Sequence, residues 1–171
     1  MKMKECVNVE IERKFIIEAP ASEILVTIPG HTESRINQIY LESTLGETRR
    51  IRKREYRDQT LYYETKKIRI DGMSATEIER EISREEFSRL SSEIKKGTQP
   101  VNKIRHTFPY KGHTFEIDIY PEWQRSCIME VELSSRSELV DFPPFIRIIR
   151  EVTGDKAYSN AQMSHAFPCE D

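Results

Sequence analysis

Charged side chains take alternate positions along several short segments of this chain, with apolar residues between them. In VNVEIERKF, Val7 to Phe15, an extended backbone puts Glu10, Glu12 and Lys14 on one face and Val9, Ile11 and Phe15 on the other. TFEIDIY sets Glu116 and Asp118 against Phe115, Ile117 and Ile119, and CIMEVELS sets Glu130 and Glu132 against Met129, Val131 and Leu133. Glu77, Glu79 and Glu81 oppose Ile78 and Ile82, interrupted by Arg80. TRRIRKR aligns Arg50, Arg52 and Arg54, VNKIRHT places Lys103 and Arg105 opposite Ile104, and Lys66 shares a face with Tyr62 and Glu64.

Each charged face is largely of one sign, which is unusual for a solvated sheet. Residues i and i+2 of a strand lie about 7 Å apart, and two like charges at that distance repel by roughly 2 kcal/mol at an effective dielectric near 20. In an enclosed space such carboxylates take up protons or need cations. Closing eight strands into an antiparallel barrel with the charged face inward gathers acids against bases and leaves room for one small ligand. The fold class expected is therefore α+β: a closed eight-stranded antiparallel β-barrel, a tunnel with a charged lumen and helices packed outside. Patterning leaves one alternative open, an uncurled sheet with one wet face.

The segments read as strands run over 7–17, 35–45, 47–56, 60–69, 75–83, 101–110, 113–121 and 126–135, separated by short turns, among which Asp71-Gly72 is the strongest hairpin signal. SREEFSRLSSEIKKG predicts a helix, with Ser83 and Glu86 in capping-box spacing, Phe87, Leu90 and Ile94 on one face, and Gly97 after the last turn. Shorter helices are expected over 21–28, 144–152 and 159–167, Pro144 in a first turn and Ser159 as a cap.

At 171 residues the chain is expected to be one domain, 1–171. Its 27 basic residues nearly cancel 29 acidic ones, for a net charge of -2, which gives no broad basic field for nucleic acid. Cys6, Cys127 and Cys169 show no CxxC spacing, and the four histidines show no zinc spacing. The opening residues lack a signal-peptide core, and no run is long enough to span a membrane. A cytoplasmic protein without membrane association is expected.

Glu10-x-Glu12-x-Lys14 resembles the ExExK signature of the CYTH superfamily, the triphosphate tunnel metalloenzymes. Further matches follow in order: QIYL from Gln38, RIR at Arg50 to Arg52, TK at Thr65 and Lys66, EREI from Glu79, KIR at Lys103 to Arg105, FEID ending at Asp118, MEVEL around Glu130 and Glu132, and VTGDKAYSN with Lys156. Nine ordered pieces spanning almost the whole chain make the resemblance specific. It implies hydrolysis of a small-molecule triphosphate with Mg²⁺ or Mn²⁺, in an eight-stranded barrel with a charged tunnel. One departure is evident: where relatives often carry Arg in the fifth strand, this chain has Glu77, so substrate preference does not transfer.

The resemblance implies metal ligation by Glu10, Glu12, Glu130 and Glu132, with Asp118, Glu79 and Glu81 completing a second metal position or orienting the attacking water. It implies that Lys14, Arg50, Arg52, Lys66, Lys103, Arg105 and Lys156 hold the phosphate chain. Arg54 is open to a place on that wall or in solvent; Tyr158 and Asn160 read as structural. Within the fold, a class IV adenylyl cyclase or a thiamine triphosphatase is the alternative, and Trp123 is the single tryptophan to stack on a base or thiazolium. A binding module using RRIRKR on RNA is a further rival. The oligomeric state, monomer or homodimer, is not legible.

Overall fold

The computed structural model describes residues 6–170. The strands are β1 (Cys6–Glu18), β2 (Thr32–Leu41), β3 (Glu47–Tyr56), β4 (Gln59–Arg69), β5 (Ser74–Glu81), β6 (Val101–Tyr110), β7 (His113–Ile119), β8 (Ser126–Glu132) and β9 (Ile148–Glu151). The helices are α1 (Ser22–Leu25), α2 (Arg84–Ser91) and α3 (Asn160–Met163), with a 3-10 turn over Lys156–Tyr158.

The sheet runs β5-β4-β3-β2-β6-β7-β8-β1-β9, and a further pairing of β5 with β1 closes it into a ring of eight antiparallel strands. β1 makes the closure possible because it serves two neighbours in succession. Its residues 6–11 pair with β5, and its residues 12–18 pair with β8. That division leaves one edge of the second half open, and β9 fills it beside Phe15, Ile16 and Ile17.

β6 and β7 join through Lys111 (φ 45°) and Gly112 (φ 86°), two positive-φ residues as the tightest hairpin turn requires. The Asp71-Gly72 turn is wider than the dipeptide suggested. Asp71 accepts hydrogen bonds from the amides of Met73 and Ser74 at 2.8 and 3.0 Å, forming an Asx turn between β4 and β5.

Two apolar clusters lie outside the ring. Phe15, Ile17, Phe108, Phe115, Ile117, Met129 and Val131 pack beneath Leu25 of α1 and beneath Val140, Phe142 and Phe145. Ile39, Leu41, Ile51 and Ile82 pack against Leu90 and Phe87 of α2. A third cluster was not anticipated: Ile16, Tyr40, Val101, Tyr120 and Ile128 occupy lumen-facing positions and meet Trp123, Val152, Tyr158 and Met163. One end of the barrel is thus stopped by an apolar plug, with the charged lumen above it.

The chain departs from its local propensities in three places. The helix expected over 144–152 is absent, and 148–151 form β9, because β1 offers an unpaired edge there. α2 keeps its Ser83 cap, which accepts from the Glu86 amide at 3.1 Å, but ends at Ser91 instead of running to Gly97. Ser91 and Ser92 donate back to the carbonyls of Phe87 and Arg89 at 2.7 Å, and Ile94 forms a bridge with Leu41. α3 is a single short helix, its Ser159 cap accepting from the Gln162 amide at 3.2 Å.

Candidate active site

The charged lumen is a cavity of about 800 Å³. Arg50, Arg52 and Arg54 of β3, Lys67 of β4 and Lys103 and Arg105 of β6 line it, as do Glu10, Glu12 and Lys14 of β1, Glu77 and Glu79 of β5, Glu116 of β7 and Glu130 and Glu132 of β8. The alternation of each strand delivers one charged face to this space, and the closure brings those faces together.

The basic wall is not uniformly neutralised. Arg50 Nη2 lies 3.4 Å from Glu77 Oε1, and Arg52 Nη2 lies 2.8 Å from Glu79 Oε2, which also accepts from the Thr65 hydroxyl at 2.9 Å. Burial works against the charge of Arg50, but Glu77, Tyr40 and Glu79 more than reverse this and raise its pKa. Arg52 is held below the usual arginine value by burial and by the neighbouring Arg50, with Arg105 adding to the repulsion that Glu79 opposes. The Nε donors of Arg50, Arg52 and Arg54 are buried without a hydrogen-bond partner. Buried donors left unmet beside an uncompensated cation are the complement of an anion.

The opposite wall has the reverse imbalance. Glu12 and Glu132 face each other in the β1–β8 register. Burial raises the pKa of Glu10, helped by Glu77; burial and Glu130 raise that of Glu12; burial and Glu116 raise that of Glu132. Glu130 differs, because Lys14 Nζ sits 2.7 Å from its Oε1 and Arg105 Nη2 sits 3.1 Å from its Oε2. Those two cations overcome the effect of burial and hold Glu130 well below the ordinary carboxylate range.

Among the described residues, no three acidic, histidine or cysteine side chains are grouped closely enough to enclose an ion. The donor set nevertheless fits a hard divalent cation: Glu10, Glu12 and Glu132 offer carboxylate oxygens, and each carries a negative charge that its surroundings penalise.

A sequence-family model, the CYTH domain, matches residues 8–150. The chain belongs to the CYTH domain family. The inorganic triphosphatase of Acetivibrio thermocellus is 30% identical over 156 residues, covering 90% of this chain and 92% of that one. The crystal structure of the inorganic triphosphatase NE1496 superposes with a TM-score of 0.59 at 26% identity, over 94% of this chain and 97% of the other. The PH1819 protein from Pyrococcus horikoshii OT3 shares the fold, with a TM-score of 0.55 at 22% identity, over 75% of this chain and 80% of its own.

Against this CYTH barrel, most of the expected site residues converge, and three do not. Lys66 is exposed, and Lys67 takes the lumen position, its Nζ 3.2 Å from Glu10 Oε2 and 3.0 Å from Glu77 Oε1. The β3–β4 register decides this: Thr65 and Lys67 point inward, while Glu64 turns outward to Arg49 Nε at 2.6 Å and to Arg80. Glu81 is exposed at the end of β5 and does not line the cavity.

Asp118 is 1% exposed and does not line the cavity. Its two oxygens accept from Lys103 Nζ and from Arg105 Nε and Nη2, each at 2.6 Å. Its carboxylate is engaged by the two cations and holds them in place.

Lys156 and Asn160 line the cavity, and Arg54 joins its wall. Asn160 also accepts from Tyr120 Oη at 2.8 Å, and Tyr158 is buried in the plug. Glu116 was not among the expected site residues, although it shares the face of Asp118 in TFEIDIY.

The register makes a direct prediction within this CYTH domain. Lys67→Ala is expected to lower kcat/KM for tripolyphosphate by about 10²-fold, the size typical of one lost electrostatic donor. Lys66→Ala is expected to change it less than twofold. Steady-state phosphate release from both variants checks the order, and the reverse order contradicts the assigned faces.

Proposed function

We propose that this protein hydrolyses the terminal phosphoanhydride of a triphosphate, with inorganic tripolyphosphate as substrate and Mg²⁺ or Mn²⁺ as the cation. The observation that carries this reading is the pairing of imbalances across one lumen. Unmet arginine donors face carboxylates whose charge is penalised, so a polyanion and a divalent cation together satisfy both walls. The names of the Acetivibrio thermocellus relative and of NE1496 support it.

Arg50, Arg52, Arg54, Lys67 and Arg105 bind the phosphate chain and offset charge as the transition state forms, which is where phosphoryl-transfer catalysis gains most. Lys14 and Arg105 hold Glu130, and Asp118 fixes Lys103 and Arg105. A bound divalent cation supplies Lewis-acid polarisation of a phosphoryl oxygen and of water. Water attacks the terminal phosphorus in line; a new P–O bond forms, the bond to the bridging oxygen breaks, and diphosphate leaves with the electron pair. Glu10, Glu12 and Glu132 would hold that cation, which would lower the pKa of the attacking water, and the water's proton leaves to solvent.

The cyclase and thiamine alternatives lose their stacking platform. Trp123 is buried against Tyr120 and Phe167, and its Nε1 donates to the Pro168 carbonyl at 3.1 Å. The RNA-binding alternative loses its patch, because RRIRKR is split. Arg50, Arg52 and Arg54 face the lumen, while Arg49 and Lys53 pair outside with Glu64 and Glu55. No helix among the described residues is long and apolar enough to cross a membrane, and Cys127 and Cys169 are free thiols, which support the cytoplasm as the compartment.

A screen of tripolyphosphate, ATP, thiamine triphosphate and RNA, each with and without Mg²⁺ or Mn²⁺, tests the proposal. Metal-dependent phosphate release, fastest with tripolyphosphate, is expected, and ATP should give ADP and phosphate. Cyclic AMP with pyrophosphate identifies a cyclase, and tight metal-independent RNA binding without turnover identifies a binding module.

A further inference from the structure

Asn160 opens α3 and lines the lumen, and a residue of the plug fixes its side chain. That residue, Tyr120, is 1% exposed, its ring centroid 5.8 Å from that of Trp123 and 5.4 Å from that of Phe167. Its hydroxyl lies 2.8 Å from Asn160 Oδ1 and 3.5 Å from Asp118 Oδ2. Burial and the Asp118 charge push the Tyr120 pKa well above its ordinary value, so the hydroxyl keeps its proton and donates. Asp118 Oδ2 already accepts from Lys103 Nζ and Arg105 Nη2 at 2.6 Å, and the shorter contact, to Asn160, takes the tyrosine proton. The carboxamide oxygen of Asn160 is thereby engaged. Its Nδ2 group, two N–H donors, has no hydrogen-bond partner among the described residues.

We infer that Asn160 is a further substrate-binding residue: its Nδ2 donates to a phosphoryl oxygen in the lumen, and Tyr120 is the positioning residue that turns the carboxamide to do so. The inference rests on the triphosphatase reading above. Asp118 holds Lys103 and Arg105 and touches Tyr120, so the amide donor belongs to the same stretch of wall as those two cations. A further cation there would add to the repulsion that already depresses Arg52, whereas an amide supplies donors without charge. The contact is made in the ground state and the transition state alike. Its loss therefore weakens binding without slowing the chemical step.

The test measures kcat and KM for tripolyphosphate in the full-length wild type, Asn160→Ala, Tyr120→Phe and the double variant. In Asn160→Ala, KM is expected to rise about tenfold with kcat within about twofold, the signature of one lost hydrogen bond to a charged ligand. Tyr120→Phe is expected to raise KM about threefold alone and to add nothing in the Asn160→Ala background, because it acts through that side chain. An unchanged KM in folded Asn160→Ala, or a Tyr120→Phe effect of equal size in both backgrounds, overturns the inference. A measurement on the wild type alone serves if a variant does not fold: in ¹⁵N-labelled protein the Asn160 side-chain amide resonances should shift on saturation with methylene-bridged tripolyphosphate and Mg²⁺, and resonances that stay in place overturn the contact. A wild type that turns over no tripolyphosphate removes the triphosphatase reading itself, an outcome distinct from turnover with a KM indifferent to Asn160.

Discussion

Arg52→Ala is expected to lower kcat for tripolyphosphate by about 10²- to 10³-fold without loss of stability. The size is that of a preorganised donor removed from a developing oxyanion. The sign of the stability effect comes from its surroundings: burial, Arg50 and Arg105 all act against its charge, and Glu79 does not fully offset them. An ion held below its normal pKa costs the folded state free energy, so its removal relieves a penalty. Glu79, left without Arg52, keeps its hydrogen bond from Thr65 and is partly exposed to water. Urea melts alongside phosphate-release kinetics check both halves. Activity and stability falling together would make Arg52 a structural residue.

Asp118→Ala is expected to behave in the opposite way, losing about 3–5 kcal/mol of stability, because removing one partner strands buried charges. Lys103 and Arg105 are both mostly enclosed, and Asp118 takes hydrogen bonds from each. Burial would raise the pKa of Asp118, but Arg105 and Lys103 reverse the effect and lower it. Its stabilisation is therefore present above the ordinary carboxylate value and disappears as pH falls through the lowered one. The variant should show a shallower acid limb in a pH series of urea melts. Wild-type stability with weakened metal affinity would restore Asp118 to the ligand set.

The strands were legible because period-two alternation follows from backbone geometry, and seven of the matched motifs sit where that alternation points them inward. What failed had a physical cause in each case. β4 reads YYETKK, polar on both faces, so nothing local chooses between Lys66 and Lys67; the register with β3 chooses. FIRIIREV has helical spacing of its apolar residues, yet the open edge of β1 draws Ile148–Glu151 into a strand. Asp118 shares a face with Glu116, but alternation says nothing of depth, and Asp118 lies next to the plug, 3.5 Å from Tyr120 Oη. The plug itself carried a readable sign: KFII and CIM place apolar residues consecutively, as strands buried on both faces do. Glu77 was visible as a departure from the family pattern, while its pairing with Arg50 and Lys67 required the closed ring.

A crystal structure with Mn²⁺ and a non-hydrolysable tripolyphosphate analogue tests the central claim most directly. Phosphate oxygens are expected within hydrogen-bonding distance of Arg52 inside the barrel, with an anomalous manganese peak beside Glu12 and Glu132. An analogue bound on the outer surface, with the lumen arginines and glutamates untouched, would contradict it.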